Sequence, residues 1–127
     1  MEKEMKFKIV LPIFGFEGYK EAILNKIDDF FYELIIGEFS FLLLDAKSIR
    51  EYEFLISEVQ KEKLKINNPN DIQIFNIVTL KNPIKESTVN FLAPILVNKK
   101  EKLLGQIILD DQKYKNYGLK EKIKKYL

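Results

Sequence analysis

The stretch STVNFLAPILVN (residues 87–98) is almost wholly apolar, yet it contains a polar amide at Asn90 and a proline at Pro94. Apolar runs of this kind are typical of buried strands. Proline cannot donate a hydrogen bond to a neighbouring strand, so Pro94 predicts a sheet edge or a bulge. A buried asparagine needs partners for its amide, either on an adjoining strand or on the irregular backbone beside the proline. The stretch therefore predicts a core strand with an interruption that is either architectural or a binding feature.

Apolar segments on both sides of this stretch predict further short strands. Residues 5–11 alternate apolar and basic side chains, and residues 72–80 are apolar on both faces, which is typical of a central strand. The pair Gly37 and Glu38 separates two apolar runs and predicts a two-residue hairpin with a positive φ at Gly37. Residues 52–56 alternate again and predict another strand.

Two short helices are predicted beside these strands. Ser57 and Gln60 have the spacing of a capping box, which predicts a helix over residues 57–65, and residues 118–127 have a helical apolar periodicity. About eight short strands with only two short helices exclude a βαβ architecture. We therefore expect a mainly β fold, a single small antiparallel β-barrel or sandwich with one or two short peripheral helices, forming one domain over residues 1–127.

The amino-acid composition excludes several classes of protein function. The 127 residues include no cysteine and no histidine, which removes thiolate and imidazole chemistry and the usual zinc sites. This absence removes most enzyme classes, and no motif in the sequence predicts a cofactor. The N-terminus is charged where a secretory signal is apolar, and no segment approaches the roughly 20 consecutive apolar residues that span a bilayer. The sequence therefore predicts a cytoplasmic protein without membrane association.

Two other functional classes have weaker signals. The acidic pairs at residues 28–29 and 110–111 are the residue types of a metal site or a carboxylate hydrolase, but aspartate at strand ends is more often a turn residue. Lysines and aromatic residues interleave near both termini, as in small barrels that bind RNA or single-stranded DNA. The net charge is only +2 and Arg50 is the one arginine, so direct nucleic-acid binding is the alternative and not the leading hypothesis.

The opening stretch and the following LLGQIILDD resemble the most distinctive block of the FliW flagellar assembly factors. In that block, a strand with an N-[LF]-x-A-P-[IL]-x-x-N pattern precedes a turn and a G-Q strand. Phe91 occupies a position that is often leucine, a conservative change. The matching positions are Asn90, Ala93, Pro94, Asn98, Gly105 and Gln106.

The resemblance extends over nearly the whole chain. KIVLPIFGFE is similar to the family's strand, turn and G-F element at Gly15 and Phe16, and YKNYGLKEKI is similar to its closing tyrosine and leucine at Tyr114 and Leu119. The closing segment lacks the arginine that many relatives carry there.

The resemblance implies a regulator that is not an enzyme. FliW proteins are understood to bind flagellin in the cytoplasm and, once flagellin is exported, to bind the RNA-binding translational regulator CsrA and relieve its repression of flagellin translation. We expect the same two partners here. The residues predicted to bind partners are those of the aromatic N-terminal loop and the asparagine block: Phe14, Gly15, Phe16, Asn90, Phe91, Pro94, Asn98 and Gln106.

Overall fold

The computed structural model describes residues 4–126. Within them the chain forms nine strands and one α-helix, joined by short loops and 3-10 turns. The helix, α1, spans Glu58–Leu64. The strands are β1 (Glu4–Leu11), β2 (Glu21–Lys26), β3 (Phe31–Ile36), β4 (Phe39–Asp45), β5 (Gln73–Thr79), β6 (Thr88–Val89), β7 (Ile95–Asn98), β8 (Leu103–Gln106) and β9 (Glu121–Lys122).

Seven of these strands close into a barrel in the order β4, β3, β2, β1, β8, β7 and β5, with β5 pairing back to β4. Every neighbouring pair is antiparallel except β1 and β8, which are parallel. An odd number of strands in a closed ring cannot alternate direction throughout, so one parallel pair is a geometric necessity. The prediction of a mainly β fold with a small antiparallel barrel is confirmed, and one of its seven strand pairs, β1 with β8, is parallel.

The barrel interior is filled by alternate residues of its strands. In β3 every second side chain is buried, beginning at Tyr32, which is the period expected of a strand with one face in a core. Leu34, Phe75 and Ile95 are each fully buried there. Two further apolar clusters lie outside the barrel, one around Tyr52 and one around α1. These outer clusters attach the irregular segments to the barrel wall.

Local signals in the sequence are confirmed at two places. Gly37 has φ +60° in a two-residue turn, and the flanking residues Ile36 and Phe39 are paired. Ser57 caps α1 through the N–H of Gln60, whose side chain accepts the N–H of Ser57 in return. No helix within residues 4–126 has the length and apolar character needed to cross a membrane.

Two predicted elements are wrong. Residues 52–56 do not join a sheet, because their backbone is hydrogen bonded by tyrosine hydroxyls instead of by a neighbouring strand. Residues 118–126 do not form an α-helix, because Glu121–Lys122 pairs with β6 and only a 3-10 turn, Ile123–Tyr126, follows. The last residue of that predicted helix lies outside the described residues. In both segments, contacts made by distant residues outweigh the local periodicity.

Candidate functional site

The aromatic loop, residues 12–20, joins β1 to β2 and exposes an aromatic side chain. Phe14 is 76% exposed, and the next residue, Gly15, has φ +87°, a conformation that glycine adopts without strain. Phe16 points the other way and packs edge-on against Phe39 and Phe41, with ring centroids 5.1 Å apart in both pairs. The loop is therefore anchored by one phenylalanine while it presents another to solvent.

Gln106 links the aromatic loop to the asparagine block. Its Oε1 accepts the backbone N–H of Phe14 at 2.7 Å, and its Nε2 donates to the carbonyl of Ala93 at 3.1 Å. The neighbouring carbonyl of Pro94 accepts the N–H of Ile107 at 3.1 Å. The structure thus brings together two of the elements that the sequence analysis selected, and a buried amide joins them.

The predicted interruption at Pro94 is confirmed as a bulge in which five residues lie opposite two. Strands β6 and β7 both pair with β5, and between these pairings residues 90–94 face only Asn76 and Ile77 of β5. Asn90 stabilises the departure from the sheet: its carbonyl accepts from Asn76 Nδ2 at 2.8 Å, and its own Oδ1 accepts from the N–H of Leu92 at 3.0 Å. The side-chain amide of Asn90 therefore finds its partner on the irregular backbone, and the bond to the adjoining strand is made by the backbone carbonyl.

Two other predicted residues of the asparagine block are buried. Phe91 is fully buried, with its ring centroid 5.5 Å from that of Tyr52. Asn98 is 1% exposed, and its Nδ2 donates to the carbonyl of Leu64 at 2.8 Å, which satisfies the last turn of α1. Both side chains make internal contacts in this structure. Direct contact of either one with a partner stays a prediction.

Sequence reasoning did not find the cluster around Arg50. The guanidinium carbon lies 4.7 Å from the ring centroid of Phe91, 5.0 Å from that of Tyr117 and 5.3 Å from that of Tyr126. Its Nη1 is 3.3 Å from Oε1 of Glu121, and the two charged side chains are only 16% and 12% exposed. This cluster binds the C-terminal segment to the bulge. One feature of the sequence could have pointed to this cluster: Arg50 is the only arginine.

Burial keeps the hydroxyl groups of Tyr52 and Tyr126 protonated. Desolvation raises the pKa of Tyr52 far above its ordinary value, so its hydroxyl stays protonated and donates to the carbonyl of Phe91. The same hydroxyl accepts from Asn76 Nδ2 at 3.0 Å. Burial, followed by the hydrogen bond to Glu121, raises the pKa of Tyr126 to about 12. These groups act as fixed hydrogen-bond partners at neutral pH and do not titrate there.

Two clefts border the segment of residues 51–57. The first has a volume of about 710 Å³ and the second about 660 Å³. The lining of the second also includes residues 66–69, Ile72 and Ile74. Both clefts are lined by Lys47, Tyr52, Glu53, Lys113 and Tyr114.

The paired acids are turn residues, as the sequence analysis favoured. Asp28 Oδ1 accepts the N–H groups of Phe30 and Phe31, both at 2.8 Å. Asp110 Oδ1 accepts the N–H of Gln112 at 2.8 Å. Across residues 4–126 there is no group of three or more acidic, histidine or cysteine side chains that could hold a metal ion.

These features define the class of protein. It is a small closed β-barrel with a five-residue bulge in its wall, an anchored aromatic loop and two clefts lined in part by lysines. The sequence model described as "FliW protein" matches residues 1–122. The chain belongs to the FliW family.

Relatives match over nearly their full length. The chain is 40% identical over 127 residues to a flagellar assembly factor FliW of Campylobacter lari, covering 97% of both chains. It is 36% identical over 126 residues to one of Sulfurimonas denitrificans, covering 97% of this chain and 98% of the relative. A crystal structure of the flagellar assembly factor FliW superposes with a TM-score of 0.82 at 26% identity, over 92% of this chain and 84% of that one.

Proposed function

We propose that this protein is a cytoplasmic flagellar assembly factor that binds two alternative protein partners, flagellin and the translational regulator CsrA. The observation that carries the proposal is the family match over residues 1–122, supported by relatives of the same length that are named flagellar assembly factors. In this proposal the protein antagonises the repression of flagellin translation by CsrA, and it is not an enzyme.

The aromatic loop supports a protein-binding role. Aromatic residues are enriched among the side chains that contribute most to protein interfaces. Phe14 is 76% exposed, while the backbone beneath it is held by Gln106. A side chain presented from a fixed backbone loses little conformational freedom on binding, which favours affinity. We therefore propose the aromatic loop as a partner-binding surface, with Phe14 and Phe16 as its exposed and anchoring residues.

The bulge contributes to the proposed surface by holding the aromatic loop in place. Gln106 connects the loop to the carbonyl of Ala93, next to Pro94. The buried residues of the asparagine block, Phe91 and Asn98, would then act on partners by holding the surface in shape. Asn90 is half-buried and lies at the entrance of the bulge.

Partner exchange follows from mass action if the two partners bind exclusively. Flagellin in excess then occupies the protein, and export of flagellin releases it to bind CsrA. The net charge of +2 gives no global support for repulsion of RNA by this protein. The proposal therefore rests on direct contact with CsrA and not on a long-range field.

Size-exclusion chromatography of purified components tests the proposal. Each partner is expected to co-elute with the protein at micromolar concentration, and added flagellin is expected to displace CsrA. Phe14→Ser is expected to weaken binding, whereas Phe30→Ser, at another aromatic side chain that is 47% exposed, is the matched control. The proposal fails if neither partner co-elutes or if both partners bind at once.

The alternative, direct binding of RNA or single-stranded DNA, is tested separately. A labelled oligonucleotide bound through phosphate contacts would lose affinity steeply as salt concentration rises. We expect no binding even at low salt. A salt-sensitive shift of the oligonucleotide would favour the alternative.

A further inference from the structure

Residues 52–56 are hydrogen bonded along one side by two tyrosine side chains. The Tyr117 hydroxyl accepts the N–H of Glu53 and donates to the carbonyl of the same residue, both at 2.9 Å. The Tyr114 hydroxyl accepts the N–H of Leu55 at 2.8 Å. The two rings are stacked, with an interplanar angle of 9°. Together they take the place of a neighbouring strand on this side.

The opposite side of the segment has no such partner. Tyr52 is buried, Phe54 and Ile56 are half-buried and the residues between them are exposed, which is the alternation of an extended chain. In an extended chain, consecutive residues direct their backbone groups to opposite edges. Within residues 4–126, no hydrogen bond engages the N–H or the carbonyl of Phe54. A free backbone edge of this kind is a template for an added strand.

The second cleft runs along this segment and has an apolar lining. The side chains that form its walls include Phe54, Ile56, Ile66 and Ile72. Leu55 is 72% exposed at its rim. Apolar side chains that alternate along an added strand would be buried between these walls.

The charges at the cleft favour an acidic partner. Lys47 and Lys113 line it, and neither contacts a carboxylate within the described part of the chain. Lys61 lines it as well, although it pairs with Glu58 at 3.5 Å. Among residues 4–126, Glu53 is the only acidic side chain in the lining. The cleft therefore carries an excess of positive charge.

We propose that the edge at residues 52–56 binds an extended segment of a partner protein in which apolar residues alternate with acidic ones. The segment pairs its backbone with that of Phe54, places its apolar side chains in the second cleft and directs carboxylates toward Lys47 and Lys113. Strand addition of this kind obtains affinity from main-chain hydrogen bonds and specificity from alternate side chains. The proposal concerns a surface distinct from the aromatic loop, and it requires neither flagellin nor CsrA as the source of the segment.

Amide NMR with a short, terminally blocked peptide of alternating leucine and glutamate tests the proposal. The largest shifts are expected at the amides of residues 52–56, and hydrogen exchange of the Phe54 N–H is expected to slow. Reversing two exposed charges, Lys47→Glu with Lys113→Glu, is expected to weaken binding about tenfold. The matched control is Lys81→Glu with Lys85→Glu, at exposed lysines that line neither cleft.

Several outcomes would overturn the proposal. One is the absence of shifts at residues 52–56 with about 1 mM peptide. Another is equal binding of a peptide in which lysine replaces glutamate, since the charge argument would then be wrong. A third is a dimer of the free protein with a protected Phe54 amide, because a second copy would then be the occupant. The test is independent of the flagellin and CsrA experiments, so the two proposals can fail separately.

Discussion

Gln106 Oε1 accepts the backbone N–H of Phe14 at 2.7 Å, although 92 positions separate the two residues in sequence. The most exposed phenylalanine of the aromatic loop is therefore held by the eighth strand of the barrel. Because Gln106 also donates to Ala93, one side chain sets the distance between the aromatic loop and the bulge.

Replacing Gln106 by alanine should loosen this connection. The N–H of Phe14 and the carbonyl of Ala93 lose their partner, so we expect the free energy of unfolding to fall by about 1–3 kcal/mol. Hydrogen exchange of the Phe14 amide should become faster. Gln106→Glu keeps an acceptor for Phe14 but loses the donor to Ala93, so it should retain the slow exchange. Equal exchange in both variants would contradict the assigned role.

Gly105→Ala should destabilise the pairing of β1 with β8. A Cβ atom at this position would lie 2.9 Å from the backbone nitrogen of Leu11, and backbone cannot move aside as a flexible side chain does. We expect a loss of about 2 kcal/mol or more in denaturant unfolding. Gly18→Ala is the control, because a Cβ there meets nothing within 4 Å. An unchanged free energy of unfolding for Gly105→Ala would contradict this prediction, because it would show that β1 and β8 can move apart without cost.

Asn90→Ala separates architecture from partner contact. The substitution removes the acceptor of the Leu92 N–H, so we expect a loss of about 1 kcal/mol in stability with binding of flagellin and CsrA unchanged. Chemical denaturation and co-elution measure the two effects. Asn70→Ala, at an exposed asparagine, is the control. Unchanged stability with weakened binding would instead make Asn90 a contact residue.

Arg50→Ala should release the C-terminal segment. It leaves Glu121 in a mostly buried position without its guanidinium partner and empties the space between three aromatic rings. We expect a loss of about 3 kcal/mol and faster exchange of the Ile123 N–H, which donates to Ser87. The double variant Arg50→Met with Glu121→Leu should lose less unfolding free energy than Arg50→Ala, because it leaves no buried carboxylate without a partner. A double variant as unstable as Arg50→Ala would mean that packing and not charge dominates.

Alkaline pH should weaken the same cluster. The pKa of Tyr126 is about 12 in the folded protein, against about 10 in an unfolded chain. The folded state holds this proton more tightly, so the stabilisation is fully present below about pH 10 and is lost as pH rises toward 12. Tyr126→Phe should reduce the fall in unfolding free energy over this window. Tyr19→Phe is the control, and an equal reduction by both variants would contradict the prediction.

Features governed by local chemistry were predictable from the sequence. Pro94 has no N–H to offer a neighbouring strand, Gly37 accepts a positive φ, and Ser57 with Gln60 satisfies the first amides of a helix. Each of these constraints acts within a few residues. These local constraints favour the bulge, the hairpin and α1 before any distant contact is considered.

Features that depend on distant partners were not predictable. The alternation over residues 52–56 correctly indicates an extended chain, but it contains no information that Tyr114 and Tyr117 supply the hydrogen bonds of a strand. The partners of Arg50 lie up to 76 positions away. The pairing of β9 with β6 likewise overrides the helical periodicity near the C-terminus. Only the closed barrel brings these groups together.

The parallel pairing of β1 with β8 also sets the order of events during synthesis. β1 can form a hairpin with β2 as soon as both have left the ribosome, but its other edge has no partner until residues 103–105 emerge. Until then the nascent chain carries an open β edge in a strand that contains buried positions such as Phe7. Contacts this distant in sequence form slowly. The barrel becomes closed only when β8 has joined β1, and until then its first strand is exposed to other nascent chains.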